Sequence, residues 1–462
     1  MNINFKKKIT KITLISILVL IVIFILTNPK KFTKKLPTET RFNIENTYFE
    51  YYNSINDSIR IILRSAGLDP FKDIHKRYKR KAPRIENLDN DYNVKFLPNT
   101  QYGKMKFIKK NINFDVSLEK YGAGEKKFSL YGLFQPFYLE SYDNKILIIH
   151  GRGRIVYSNL NETVSENTKD IKFTIISSNL LDLARSGHVN GTLIHNNKIY
   201  VSYHIRKEEC EYFRIVVADI NIKNLEFKDF FSSNECGPKY SAGRMQFFNH
   251  ESQDGLLVSI GMGAYNKPST FPQDKKTIIS KIIFINLDTK KHIIYSLGHR
   301  NPQGLLVDGK NIISTEHGPH GGDEINKIIF QGNYGWPIAS YGTAYDDIDK
   351  NEISSKGYLK SHSDSGFIEP VYAFVPSIGI SQIIKIPNSF SNLWQNNYLL
   401  SSLNDQSLYR IKFNKNIDGI LSMERIYVGS RIRDLKYFKK ANVFILALED
   451  QVELGILKLE IE

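Results

Sequence analysis

Residues 298–342 read GHRNPQGLLVDGKNIISTEHGPHGGDEINKIIFQGNYGWPIASYG and hold the chain's highest density of Gly, Pro, His, Asn and charge. Two apolar runs inside this stretch, GLLVDG and NIISTEHG, are separated only by a turn. Its polar groups therefore fall at strand ends, where a rigid scaffold carries its chemistry. A second group stands far downstream in SRIRDL, where Arg431 and Arg433 have the i, i+2 spacing that places both guanidiniums on one face of a strand. A guanidinium fork grips a carboxylate at two points, so such residues suit an anionic ligand; the plainer reading is structural ion pairing. The two cysteines, Cys210 and Cys236, flank a strand-rich segment as a staple across one hairpin would. Outside the cytoplasm such a pair is expected to be a disulfide, the alternative being two buried thiols. No CxxC or Cys/His metal spacing occurs.

The elements that must position these residues are short strands. From about residue 91 they recur with turn residues between them: KILIIH (145–150), GTLIHNNKIYVSYH (191–204), FRIVVADIN (213–221), GLLVSIG (255–261), SKIIFIN (280–286), KHIIYSL (291–297), QIIKIP (382–387), NYLLSSL (397–403), SLYRIKF (407–413), IRDLKYF (432–438), VFILALE (443–449) and GILKLEI (455–461). Aromatic content of 12%, with 26 Tyr and 28 Phe, favours sheet. No long amphipathic helix interrupts the series, which disfavours a parallel α/β fold and points to a sandwich, barrel or propeller. The length left for it would fill about six or seven four-stranded blades. Ring closure is expected to pair GILKLEI with an early strand such as KMKFIKK (104–110).

Upstream, residues 12–26 (ITLISILVLIVIFIL) are apolar apart from Thr13 and Ser16. The run is short for a spanning helix, although Thr27 and Asn28 extend it. No small-residue cleavage site follows, so an uncleaved signal anchor is expected rather than a cleaved signal peptide. Lysines flank both sides; those on the very short tail favour that tail inside and the bulk of the chain outside, periplasmic or extracellular. Eight of these lysines, at 6, 7, 8, 11, 30, 31, 34 and 35, reduce the net charge of +15 to 15 − 8 = +7 for the remainder. The basic balance thus belongs largely beside a lipid bilayer, and nucleic acid is not the expected partner. Residues 46–67 follow a helical pattern, capped by Asn46 and stopped by Gly67, and read as a stalk or cover behind the membrane. The expected division is 1–28 tail and transmembrane helix, 29–92 juxtamembrane helical stalk, and 93–462 propeller.

The ordered motif GHRNPQGL…STEHGPHGGDEIN…GNYGWP resembles the signature of the glucose/sorbosone dehydrogenase family. The segments PFYLESYDNKILIIHGRGRI and SRIRDLKYFKKANVFILALED echo the family's first and last blades. The resemblance covers about residue 136 to the C-terminus and implies an all-β, six-bladed β-propeller. It implies pyrroloquinoline quinone (PQQ) and calcium as cofactors and a small-molecule sugar or alcohol as substrate. A membrane electron acceptor is the partner it suggests. PQQ is a flat quinone with three carboxylates, so its site needs several cations. Arg300 with Asn301, and Arg431 with Arg433, match the family's quinone contacts. Gly318 and Pro319 match carbonyl ligands of calcium, a hard cation that takes oxygen donors. Asp323 and Glu324 would add negative charge beside it. Trp336, in the Tyr334-Gly335-Trp336 corner, is expected in the core.

This chain also departs from the pattern. The family's general base, a histidine before a Gly-Gly-Arg strand start, falls at Tyr240 in YSAGR. The acid that orients it falls at Met262 in GMG, and a quinone-contacting lysine falls at Asn404. An un-ionised tyrosine, with a reference pKa of about 10, is a poor base. His188 in SGHVNGTLI is the substitute candidate, with His317 and His320 behind it. The reading is a PQQ- and calcium-dependent oxidoreductase using His188 or Tyr240 as base, with Asp323 in its acidic set. The alternative is a propeller that binds a ligand or protein partner at the membrane without turnover.

Overall fold

The computed structural model describes residues 105–112, 136–167, 171–184, 186–237, 240–262, 270–343, 358–450 and 453–459. The apolar stretch at 12–26 and the stalk helix expected at 46–67 lie outside the described residues. Among the described residues no helix is long and apolar enough to cross a membrane.

Six antiparallel sheets form the fold. Blade 1 contains Phe137–Tyr142, Lys145–His150, Ile155–Asn159 and Thr174–Ser178, with Asn224–Leu225 added in parallel. Blade 2 contains Gly187–His195, Lys198–Lys207, Cys210–Asp219 and Lys228–Ser232. Blade 3 contains Tyr240–His250, Gln253–Met262, Lys281–Asn286 and His292–Leu297. Blade 4 contains Pro302–Asp308, Asn311–Glu316, Asp323–Lys327 and Tyr372–Phe374. Blade 5 contains Ile380–Lys385, Tyr398–Ser402, Ser407–Phe413 and Ile420–Tyr427. Blade 6 contains Ile432–Phe438, Val443–Leu448, Glu453–Leu459 and, from the other end of the chain, Met105–Asn111. The first strand of each blade touches the first strand of the next, and that of blade 6 touches blade 1, so these strands form a closed inner ring. The closing pair runs Lys106↔Lys458 through Lys110↔Leu454, the pairing expected from the sequence.

Local chemistry explains the strands. Asn196 and Asn197 both adopt positive φ (47° and 57°), the two-residue turn that suits the twist of a hairpin. Val443–Leu448 is buried at every position because its blade is covered on both faces. The apolar core divides into six clusters, one between each pair of neighbouring blades. Burying each such Ile, Leu or Phe contributes roughly 1.5–3 kcal/mol, so blade-to-blade packing holds the ring. Outer strands such as Ile420–Tyr427, and Lys228–Ser232, are half polar and did not stand out as strands in the sequence.

Candidate functional site at one mouth of the ring

Antiparallel register brings the start of each inner strand beside the end of the second strand. The pairs are Phe137↔His150, His188↔His204, Tyr240↔Met262, Pro302↔Glu316, Ile380↔Ser402 and Ile432↔Leu448. All six surround one mouth of the ring, and the residues singled out in the sequence stand at this end.

Blade 4 supplies Arg300 and Asn301 just before its inner strand and His317, Gly318 and Pro319 just after the second. The Arg300 Nη1 donates to the His317 carbonyl at 3.0 Å, and the His317 N–H donates to the Asn301 carbonyl at 3.0 Å. Glu316 accepts the Arg300 backbone N–H with one oxygen and faces His299 Nδ1 at 3.0 Å with the other. The Arg300 guanidinium lies 5.4 Å from the Trp336 ring centre. Trp336 is only half-buried, which corrects the expectation of a core residue: its ring lines the pocket under Arg300, where an aromatic face attracts the cation.

The next loop is unusually tight. Gly321 and Gly322 adopt φ of +94° and +70°, and a Cβ on Gly318 would sit 2.2 Å from the Gly322 carbonyl. The Asp323 carboxylate, 1% exposed, accepts from the Gly318 N–H (3.0 Å), the Ser377 hydroxyl (2.8 Å) and the Ile380 N–H (3.0 Å). It thus fixes the Gly318 loop to the start of blade 5. Glu324 lines the same pocket as Arg300, Gly318 and Pro319, and its oxygens meet Asn326 (3.2 Å) and His362 (3.5 Å). Burial, with Glu316 and Asp323 nearby, holds its carboxyl well above the usual range.

Blade 6 supplies the arginine pair. Arg431 Nε donates to one oxygen of Glu449 at 3.0 Å and Arg433 Nε to the other at 2.6 Å. Burial alone would raise the Glu449 pKa, but the Arg433 and Arg431 guanidiniums hold it below its usual value. Two cations thus share one anion. Arg433 Nη1 also donates to Gln303 Oε1 at 3.1 Å, and Gln303 Nε2 donates to Asn301 Oδ1 at 2.7 Å. Blades 6 and 4 are joined through this amide. His317 lies within the field of both Arg433 and Arg300; burial first, and then these cations, hold its pKa below the ordinary histidine value.

Beneath the mouth lies Arg244, 5% exposed. It donates to Asp434 (2.8 Å), the Gln303 carbonyl (3.0 Å) and the Arg433 carbonyl (2.9 Å), and stands 5.0 Å from the Tyr138 ring centre. The other Asp434 oxygen accepts the Leu139 N–H at 2.8 Å. One guanidinium from blade 3 therefore ties blades 1, 4 and 6 together as a floor.

Blade 3 faces the mouth with apolar bulk. Tyr240 is 2% exposed, its hydroxyl donates to the Glu235 carbonyl at 3.1 Å, and burial pushes its pKa up beyond the ordinary phenol range. Met262 shares its apolar cluster. The neighbouring Gly261 is required because a Cβ there would come within 2.9 Å of Asn301. Asn404 is exposed at the mouth of blade 5, where its N–H donates to the Ile378 carbonyl at 2.9 Å. His320 is exposed, with its backbone paired to Thr343. His188 lies at the mouth of blade 2, its ring centre 5.7 Å from that of His204. Cys210 and Cys236 form a disulfide.

The sequence profile of the Glucose / Sorbosone dehydrogenase family matches residues 133–456, more than half of the chain. The chain belongs to this family. An uncharacterized protein of Synechocystis sp. is 26% identical over 307 residues, 61% of this chain and 70% of its own. Aldose sugar dehydrogenase YliI of Escherichia coli is 30% identical over 175 residues, 37% of this chain and 45% of its own. The PQQ-bound structure of aldose sugar dehydrogenase from Streptomyces coelicolor shares the fold, with a TM-score of 0.52 at 18% identity, covering 71% of this chain and 96% of that one. Within this dehydrogenase-family propeller, Gln303, Glu449, Arg244 and Asp434 are site residues that sequence reasoning passed over. Gln303 and Asp434 carried a signal, each lying one or two positions from a chosen residue; Glu449 only closed an apolar run.

Proposed function

We propose that this protein is a PQQ- and calcium-dependent dehydrogenase that oxidises a sugar or other alcohol outside the cytoplasm. The observation that carries the reading is the convergence of Arg300, Arg431 and Arg433 on one mouth, linked through Asn301 and Gln303. Two guanidiniums share the Glu449 carboxylate and the third, Arg300, meets the His317 carbonyl, and guanidinium forks set on one rim suit a planar tricarboxylate. Arg300, Asn301, Arg431 and Arg433 would hold the quinone, and the Gly318 and Pro319 carbonyls the calcium. Carbonyl oxygens are the hard donors that such a cation takes. When bound, the quinone supplies a two-electron hydride acceptor. The chain's own part is to orient it by its carboxylates, fix the loop through Asp323, and close the axis beneath it with Arg244.

The Cys210–Cys236 bridge supports an oxidising compartment, and the apolar run at 12–26 a membrane anchor, close to a membrane electron acceptor. The buried Tyr240 hydroxyl and Met262 favour the second reading, a propeller that binds without turnover. Reconstitution with PQQ and calcium, followed by dye reduction across a sugar panel, separates the two. Quinone binding with no reduction of dye by any sugar or alcohol would sink the dehydrogenase reading and select the binding module.

A further inference from the structure

With the Tyr240 hydroxyl turned to the Glu235 carbonyl, the mouth has cations for a ligand and lacks the family's proton acceptor. Blade 2 offers a replacement. Val189 packs in the cluster shared with blade 1, so strand alternation turns its neighbour His188 to the opposite face, towards blade 3. His204, its cross-strand partner, stands behind it, with ring centres 5.7 Å apart. Each nitrogen of His204 faces an oxygen: Nδ1 lies 2.9 Å from Asn190 Oδ1, and Nε2 lies 3.7 Å from Glu211 Oε2. The same Glu211 oxygen accepts the Tyr240 N–H at 2.9 Å, so the carboxylate sits beside the position from which the family's base is missing. From blade 1, Arg152 Nη1 donates to the Gly187 carbonyl at 3.1 Å, and His150 lies within the field of His188. The groups facing His188 are thus His204 and Glu211 on one side, and His150 and Arg152 on the other.

We propose that His188 accepts the substrate's proton, with His204 as a positioning residue and the Glu211 carboxylate as the anion that offsets the charge it gains. This rests on the dehydrogenase reading above. In the step, the substrate's O–H proton passes to a ring nitrogen of His188. The carbinol hydrogen leaves with its two electrons to the quinone oxidant, and the C–O single bond becomes a carbonyl.

The test compares His188→Gln and Glu211→Gln with the wild-type full chain. His188→Gln is expected to keep PQQ affinity within about twofold, with KM little changed and kcat lower by about 10²–10⁴. Independently of turnover, imidazole nitrogen NMR of the apoprotein is expected to show His188 titrating between about pH 5 and 8, and at lower pH in Glu211→Gln, where a stabilising anion is gone. An active wild type with His188→Gln within about threefold of it overturns the proposal alone. A wild type that binds PQQ but oxidises nothing overturns the dehydrogenase reading and the proposal with it. Loss of PQQ affinity in step with activity makes His188 a ligand contact and also overturns it. Should His188→Gln fail to fold, the wild-type titration decides: an imidazole held protonated over that whole range is no proton acceptor and overturns the proposal.

Discussion

At the scale of single residues, the mouth is defined by how charges are shared. Glu449 divides itself between Arg431 and Arg433, and Gln303 holds the far arm of Arg433. Replacing Arg433 by Gln should weaken PQQ binding by about 1.5–3 kcal/mol, the worth of hydrogen bonds to a charged group, read by titrating quinone absorbance. The mouth should also govern acid stability. Burial first, and then Arg152 and Arg154, lower the His150 pKa to about 4. The unfolded chain takes up a proton near the ordinary value of 6.5 while the folded chain does not. Stability is therefore full above about 6.5 and is lost as pH falls towards 4, by on the order of 3 kcal/mol. His150→Gln should flatten the fall in melting temperature over that window; an unchanged slope would deny His150 this role. Arg431 and Arg433 were legible because alternation alone puts them on one face. Glu449 was not, since nothing in VFILALE marks its last residue as the carboxylate both arginines use.

At the scale of elements, the hairpin ends and their crossovers place the chemistry. The Cys210–Cys236 bridge spans 26 residues and joins the third strand of blade 2 to the crossover before blade 3. Glu211 and Gly237 exchange backbone hydrogen bonds beside it. The same crossover carries Glu235, whose carboxylate accepts from the Ile278 N–H and whose carbonyl accepts the Tyr240 hydroxyl. Replacing both cysteines by Ser should cost about 3 kcal/mol through the entropy of the unfolded loop, seen as a lower denaturation midpoint. A shift of a few tenths would mean that the backbone contacts hold this crossover unaided. The second and third strands of the sheets, such as Val443–Leu448 and Lys281–Asn286, were the clearest elements in the sequence because both their faces are covered. Outer strands wet on one side, such as Ile420–Tyr427, lacked that mark, while His292–Leu297 kept it.

At the scale of the whole molecule, closure is the main constraint. Met105–Asn111 completes blade 6 by pairing with Glu453–Leu459, and Phe107 enters the core between blades 5 and 6. Removing the chain through residue 111 would uncover the edge of Glu453–Leu459 and part of that core. The product should be aggregated on size exclusion, because an open apolar edge recruits other strands. A monomeric, folded truncation would show that the ring does not depend on this strand.

The sequence by itself determined the strand-built architecture, the strand pairing that closes the ring, the family, and the arginines that ring the mouth. Each is written in local pattern: alternation, turn residues and an ordered motif. Only the tertiary structure decided how those residues are used. Arg244 meets Asp434 across 190 positions of sequence, and Arg433 meets Gln303 across 130. The Tyr240 hydroxyl turns into the blade, while His188 and His204 stand together at the mouth. The physical reason is that a closed ring brings distant strand ends to one rim. There, the direction of each side chain is set by packing between blades rather than by its neighbours in sequence.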